Sequence, residues 1–100
     1  MTRNNIDLPL VVLAEFCERN HIHKLSLFGS ILRGDFHAGS DVDMLVEFEP
    51  GSRITYIDMG AMCEELSTMV SRSVDLRTRM ELSPYFRDRV LAEAENIYVR

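Results

Sequence analysis

The stretch Leu25 to Val46, LSLFGSILRGDFHAGSDVDMLV, constrains this chain more than any other, because it holds two chemically loaded pairs at a fixed interval. Gly29-Ser30 closes one apolar run, Asp41 and Asp43 open the next, and ten residues lie between Ser30 and Asp41. A strand that ends in Gly-Ser before a short helical segment sets backbone N–H groups and a hydroxyl at a helix N-terminus, where phosphate binds readily. Val42, Met44, Val46 and Phe48 alternate after Asp41, so strand geometry puts the carboxylates of Asp41 and Asp43 on one face. Carboxylates so placed repel unless a cation lies between them, and hard oxygen donors favour Mg²⁺ or Ca²⁺ over softer metals. Ser and Asp are also common where a strand leaves a polar turn. Either pair alone is therefore weak, whereas a phosphate cradle beside a magnesium site points to nucleotide chemistry.

In this combination the chain resembles the nucleotidyltransferase superfamily related to DNA polymerase β, whose signature is Gly-Ser followed by Asp-x-Asp. The resemblance is closest to the minimal nucleotidyltransferases, small antitoxins paired with HEPN-type ribonuclease toxins. It spans nearly the whole chain: a leading helix, Phe28-Gly29-Ser30 with Arg33-Gly34-Asp35, Ser40-Asp41-x-Asp43, and a later Val74-Asp75-Leu76 strand. The resemblance implies that Gly29 and Ser30 hold the triphosphate of ATP, with Arg33 and Ser40 among the nucleotide-binding residues. It implies further that Asp41, Asp43 and Asp75 carry the catalysis and bind Mg²⁺, as two ions. The acceptor it implies is a hydroxyl, a tyrosine, on a HEPN toxin with which the chain forms a hetero-oligomer.

Composition narrows the rest. One hundred residues suit a single domain, 1–100, with one modest core and no second substrate-binding domain. With 46% hydrophobic and 27% charged residues, the chain has the make-up of an ordinary globular protein rather than a disordered one. The polar start MTRNNIDLP has no apolar leader core, and no run approaches the ~18 apolar residues of a membrane span, so a cytoplasmic location is expected. A formal net charge of −5 argues against a grip on long nucleic acid, which depends on neutralising many phosphates, but is compatible with a metal-bound nucleotide. Cys17 and Cys63 sit in apolar helical patterns, which reads as buried thiols in a reducing compartment; Cys17 with His21 and His23 matches no zinc spacing.

In chain order, Asp7 is expected to cap a helix with Pro9 in its first turn and Leu10, Leu13, Ala14 and Cys17 on its apolar side, ending near Asn20. A strand over Lys24–Phe28 leads into Gly29-Ser30, a short helix over Ile31–Asp35, and a turn at His37–Ser40. Arg33 either contacts phosphate or fixes this loop by pairing with Asp35, and local pairing is the favoured reading. A second strand, Val42–Phe48, ends at a Glu49–Ser52 turn, with Ser52 as the candidate cap of a long helix over Ile54–Ser71. Met59, Met62, Leu66, Met69 and Val70 form its stripe, and Ile54, Ile57 and Ala61 widen it, so the face serves the core first and a partner second. In Ser73–Thr78, Asp75 and Arg77 share the face opposite Val74 and Leu76. Arg77 either meets the leaving pyrophosphate or offsets the acidic cluster, and the latter is favoured. Ser83 is expected to cap a last helix with Pro84 at its first position and Tyr85, Phe86, Val90, Leu91 and Ala94 on its apolar side, followed by an edge strand at Ile97–Val99.

Alternating strands and helices give an α/β (α+β) fold, a small mixed sheet flanked by helices. Two rival functions share these features. A non-catalytic antitoxin would neutralise its partner by binding alone, which fits the wide methionine-bearing helix yet leaves three carboxylates and a Gly-Ser cradle without purpose. A small-molecule nucleotidyltransferase of the antibiotic-modifying kind would need a second domain.

Overall fold

A computed structural model describes residues 1–100. Two short strands, β1 (Thr2–Arg3) and β2 (Ile6–Asp7), form a hairpin, and α1 (Leu10–Arg19) leads into β3 (Ile22–Phe28). A 3-10 turn over Gly29–Leu32 and a loop precede β4 (Val42–Phe48); α2 (Tyr56–Val70) crosses to β5 (Val74–Thr78). A second 3-10 turn (Arg79–Glu81), α3 (Arg87–Glu93) and β6 (Glu95–Val99) complete the chain. The main sheet has the order β5-β4-β3-β6, with β4 and β5 parallel and the other pairs antiparallel. A parallel pair needs a crossover, and α2 supplies it.

The core lies on one face of this sheet. Leu13, Phe16 and Cys17 of α1 and Met62, Leu66 and Val70 of α2 repeat at helical spacing and pack on Leu25, Leu27, Val42, Met44, Val46, Val74 and Leu76. Each fully buried aliphatic or phenyl side chain contributes about 1.5–3 kcal/mol. The ion pairs all lie at the surface, where such pairs give about 0–1 kcal/mol. Apolar packing on the helix-covered face therefore fixes the strands, and the alternate residues of β4 and β5 are left to the other face.

Several expected boundaries shift. Asp7 does not cap α1: it pairs with Thr2 in the hairpin, Pro9 occupies the capping position, and no side chain caps there. The first strand begins at Ile22, two residues earlier than expected, and the helix expected at Ile31–Asp35 is instead the tighter turn starting at Gly29. Ser52 is not the cap of α2. Thr55 is, its hydroxyl accepting from the Asp58 N–H at 3.1 Å while the Asp58 carboxylate accepts from the Thr55 N–H at 2.9 Å. Ile57 and Ala61 lie exposed rather than in the core. The last helix starts at Arg87, after a turn, so Ser83 and Pro84 do not begin it, and Tyr85 and Phe86 are 91% and 60% exposed instead of facing the core. The expected β4 span is reproduced residue for residue, and β6 is the edge strand anticipated at Ile97–Val99, longer by two residues.

Candidate functional site

Three neighbouring strands bring the site together at one end of the sheet. Phe28, the last residue of β3, is the register partner of Asp43 on β4, and Asp43 is in turn the register partner of Asp75 on β5. Partners across a pair project to the same face, so Asp43 and Asp75 stand side by side with strand axes about 4.8 Å apart. Gly29 continues directly from Phe28 and thus meets Asp43. Its φ is +76°, and a Cβ there would lie 2.2 Å from Asp43 Oδ2, so glycine is required both by the backbone and by the carboxylate beside it. The sequence places Gly29 in a phosphate cradle; the structure adds Asp43 as its immediate neighbour. Ser30, half-buried, follows in the 3-10 turn, where the Arg33 N–H donates to its carbonyl at 2.9 Å.

Asp41 lies exposed just before β4, two residues from Asp43. Asp43 is the charged centre. Burial first, then the negative charges of Asp75 and Asp41, push its carboxyl from 3.8 up to about 6, while Arg77 and Arg33 pull it back. Arg77 Nε donates to both oxygens of Asp75 at 3.2 and 3.3 Å, and the Asp75 carboxylate holds the Arg77 guanidinium protonated above its usual range. Arg77 thus offsets the acidic cluster, the favoured of its two readings.

The other two candidates are engaged locally. Arg33 Nε meets Asp35 Oδ1 at 3.4 Å, the local pairing favoured from sequence. Ser40 closes its turn: its Oγ accepts from the His37 N–H at 3.0 Å and its own N–H donates to the His37 carbonyl at 2.9 Å. Two residues that sequence reasoning missed support this region. Asn4, in the hairpin turn, donates from Nδ2 to the carbonyls of Ile31 and Arg33, clamping the end of the Gly29–Leu32 turn. Arg72 donates to the His37 carbonyl and lies over the Phe36 ring at 4.8 Å, holding the loop between Ser30 and Asp41. These contacts span about thirty residues of sequence, so no local pattern announces them.

A divalent cation suits this donor set. The oxygens are hard, and burial together with the neighbouring carboxylates drives the central carboxyl toward protonation, which a bound cation would oppose. The three-carboxylate set expected from the sequence is not drawn into one ligand group: no three His, Cys, Asp or Glu side chains converge. Asp75 is occupied by Arg77 and Asp41 is solvated. The most voluminous cavity, about 560 Å³ between Phe48, Ile54, Met59 and Met80, opens at the far ends of β4 and β5 and has no part in this arrangement.

Fold and site together define a small mixed α/β domain whose sheet end carries a Gly-Ser turn against strand-borne carboxylates. The nucleotidyltransferase domain is the family description that matches, over residues 11–97, and the chain belongs to that family. A protein adenylyltransferase of Thermococcus cleftensis, named MntA, is 34% identical over 86 residues, which cover 85% of this chain and 82% of that protein. Two solved structures share the fold. One, a toxin–antitoxin crystal structure with AMP-PNP, superposes with a TM-score of 0.73 at 20% identity, covering 93% of this chain and 75% of that one. The other, a tri-AMPylated Shewanella oneidensis HEPN toxin in complex with an MNT antitoxin, gives a TM-score of 0.64 at 17% identity, covering 91% and 70%. No helix of the chain is long and apolar enough to cross a membrane.

Proposed function

We propose that residues 1–100 act as one cytoplasmic nucleotidyltransferase domain, an antitoxin that transfers AMP from ATP to a tyrosine hydroxyl of a HEPN-type toxin and so silences it. The observation that carries this reading is the register Phe28–Asp43–Asp75, which sets two strand carboxylates against the Gly29-Ser30 turn. The naming of the Thermococcus relative as a protein adenylyltransferase, and the HEPN toxin bound by the Shewanella neighbour, support the choice of reaction and partner.

In this reading the acceptor oxygen attacks the α-phosphorus of ATP, the bond to the β,γ-phosphates breaks, and pyrophosphate leaves with AMP bonded to the acceptor. Gly29 and Ser30 bind the triphosphate through turn N–H groups and the Ser30 hydroxyl. Asp75, oriented by Arg77, takes the proton that the hydroxyl releases. Asp41 and Asp43 are the residues that would hold Mg²⁺, up to two ions, with Asp75 as the third carboxylate; a metal bound there would supply electrostatic stabilisation of the attacking and leaving oxygens. Arg33, already at the Gly29 turn, neutralises phosphate charge once freed from Asp35. Ser40 acts by shaping the turn that delivers Asp41.

The test follows the two ends of ATP. With the partner toxin and Mg²⁺, label in the α-phosphate should appear on the toxin and label in the γ-phosphate should not. Asp43→Asn should abolish transfer without releasing the toxin. Transfer of γ-label, or undiminished α-label with that variant, contradicts the reading. One observation favours neutralisation by binding alone: Tyr56, Ile57 and Met80 are 90%, 84% and 76% exposed, an apolar surface suited to a partner. In that case the carboxylate variants would silence the toxin as well as the native chain does.

A further inference from the structure

A second, smaller cleft borders the Gly29 turn, between it and the segment Phe86–Glu93. Its volume is about 190 Å³, and Phe28, Gly29 and Arg33 form one wall while Phe86, Arg89 and Glu93 form the other. Ligand pockets that enclose a whole drug-sized molecule run to about 300–1,000 Å³, so this cleft has room for one ring system and not for a complete nucleoside triphosphate. Phe86 stands 60% exposed at its edge, although the sequence places it where a helix would face the core. Its backbone is nevertheless fixed. The Phe86 N–H donates to the Ser83 carbonyl at 3.0 Å, and the guanidinium of Arg87 donates to the carbonyls of Arg79 and Leu82 at 3.1 and 3.0 Å. An aromatic side chain held out from the core on an anchored segment is preorganised for a flat partner. Across from it, Gly29 and Arg33 belong both to this cleft and to the turn assigned to phosphate. Arg89, paired with Glu93 at 3.2 Å, adds a cationic plane and hydrogen-bonding groups of both kinds at the rim.

We infer that this cleft receives the base of the nucleotide, stacked on Phe86, while the phosphates lie on the Gly29-Ser30 turn. The inference rests on the nucleotidyltransferase reading and deepens it, by naming the residue that recognises the base. Stacking on an aromatic ring holds a base and tolerates any base, because each has a π-face. Phe86 therefore supplies affinity, and the Arg89–Glu93 pair at the rim supplies whatever preference exists among bases.

Calorimetric titration of the purified full chain with MgATP and, separately, with magnesium tripolyphosphate tests this. Tripolyphosphate carries the charges and no base. Phe86→Ala should weaken MgATP binding about tenfold, within the range that stacking allows, and leave tripolyphosphate binding unchanged. Phe86→Leu, which keeps apolar bulk and loses the ring face, should weaken MgATP similarly, and Phe86→Tyr should retain native affinity. Unchanged MgATP affinity in Phe86→Ala overturns the inference while leaving the nucleotidyltransferase reading standing. Equal loss of both ligands, or native affinity in Phe86→Leu, overturns it in favour of a packing role. A native chain that binds neither ligand overturns the nucleotide reading itself, and the base cleft with it.

Discussion

Gly29 and Asp43 are coupled at the scale of single residues, because the α-position of one faces the carboxylate of the other. Gly29→Ala meets a left-handed φ of +76° and a 2.2 Å approach to Asp43 Oδ2, and strain of that kind costs about 1–3 kcal/mol. Asp43→Ala removes the oxygen that causes the clash. We therefore expect urea denaturation to show that the double variant is more stable than the sum of the single effects requires, with a coupling of about 1 kcal/mol. Strict additivity would mean that only the backbone resists the substitution. Asp43 also makes stability depend on pH. Its folded carboxyl titrates at about 6, against about 3.9 in an unfolded chain. Between those values the folded state keeps a proton that the unfolded state has lost, so the contribution is fully present below pH 4 and disappears as pH rises through 6. The shift corresponds to about 3 kcal/mol, which solvent screening of a half-exposed group reduces to about 1 kcal/mol. In metal-free buffer, Asp43→Asn should be more stable than the native chain by about that amount at pH 7.5 and equally stable at pH 4. A native chain that gains stability between pH 4 and 6 relative to this variant would contradict the assignment.

At the scale of elements, legibility followed how far each signal extends along the chain. β4 was readable in full because Val42, Met44 and Val46 recur at every second position and all three are buried, with Leu45 the one apolar residue between them. The cap of α2 was displaced by three residues, though Thr55-x-x-Asp58 is written in the sequence; the Pro50-Gly51 turn drew attention to Ser52 instead. Removing that cap should matter for stability and not for chemistry, since it lies at the end of the sheet opposite Asp43. Thr55→Ala is expected to lower stability by about 1 kcal/mol in thermal or urea denaturation, with nucleotide transfer unchanged. Loss of transfer would show that the two ends of the sheet communicate. The segment before α3 was misread for a different reason. Tyr85 and Phe86 carry the hydrophobicity of a core face, and a side chain that is apolar for packing cannot be told from one that is apolar for a ligand until its burial is seen.

At the scale of the molecule, the candidate site was legible as a set and not as an arrangement. Gly29, Ser30, Asp41, Asp43 and Asp75 were all singled out from spacing and resemblance, and strand register makes Phe28, Asp43 and Asp75 neighbours. The pairing of Asp75 with Arg77, the clamp from Asn4 and the hold of Arg72 on the loop depend on where distant elements meet. Charge follows the same geography: the main core packs on one face of the sheet, and Asp43 and Asp75 stand on the opposite face, at the end of β4 and β5 beyond the buried Leu45. The site therefore costs little in packing, and the central claim is that its carboxylates move an adenylyl group onto a partner. Intact-protein mass spectrometry of the partner HEPN toxin, incubated with this chain, ATP and Mg²⁺, tests that claim most directly. The toxin should gain one or more adenylyl increments with pyrophosphate released into solution, and should gain none with Asp41→Ala or Asp43→Ala although the proteins still bind. A toxin silenced at unchanged mass, and silenced equally by those variants, would contradict it.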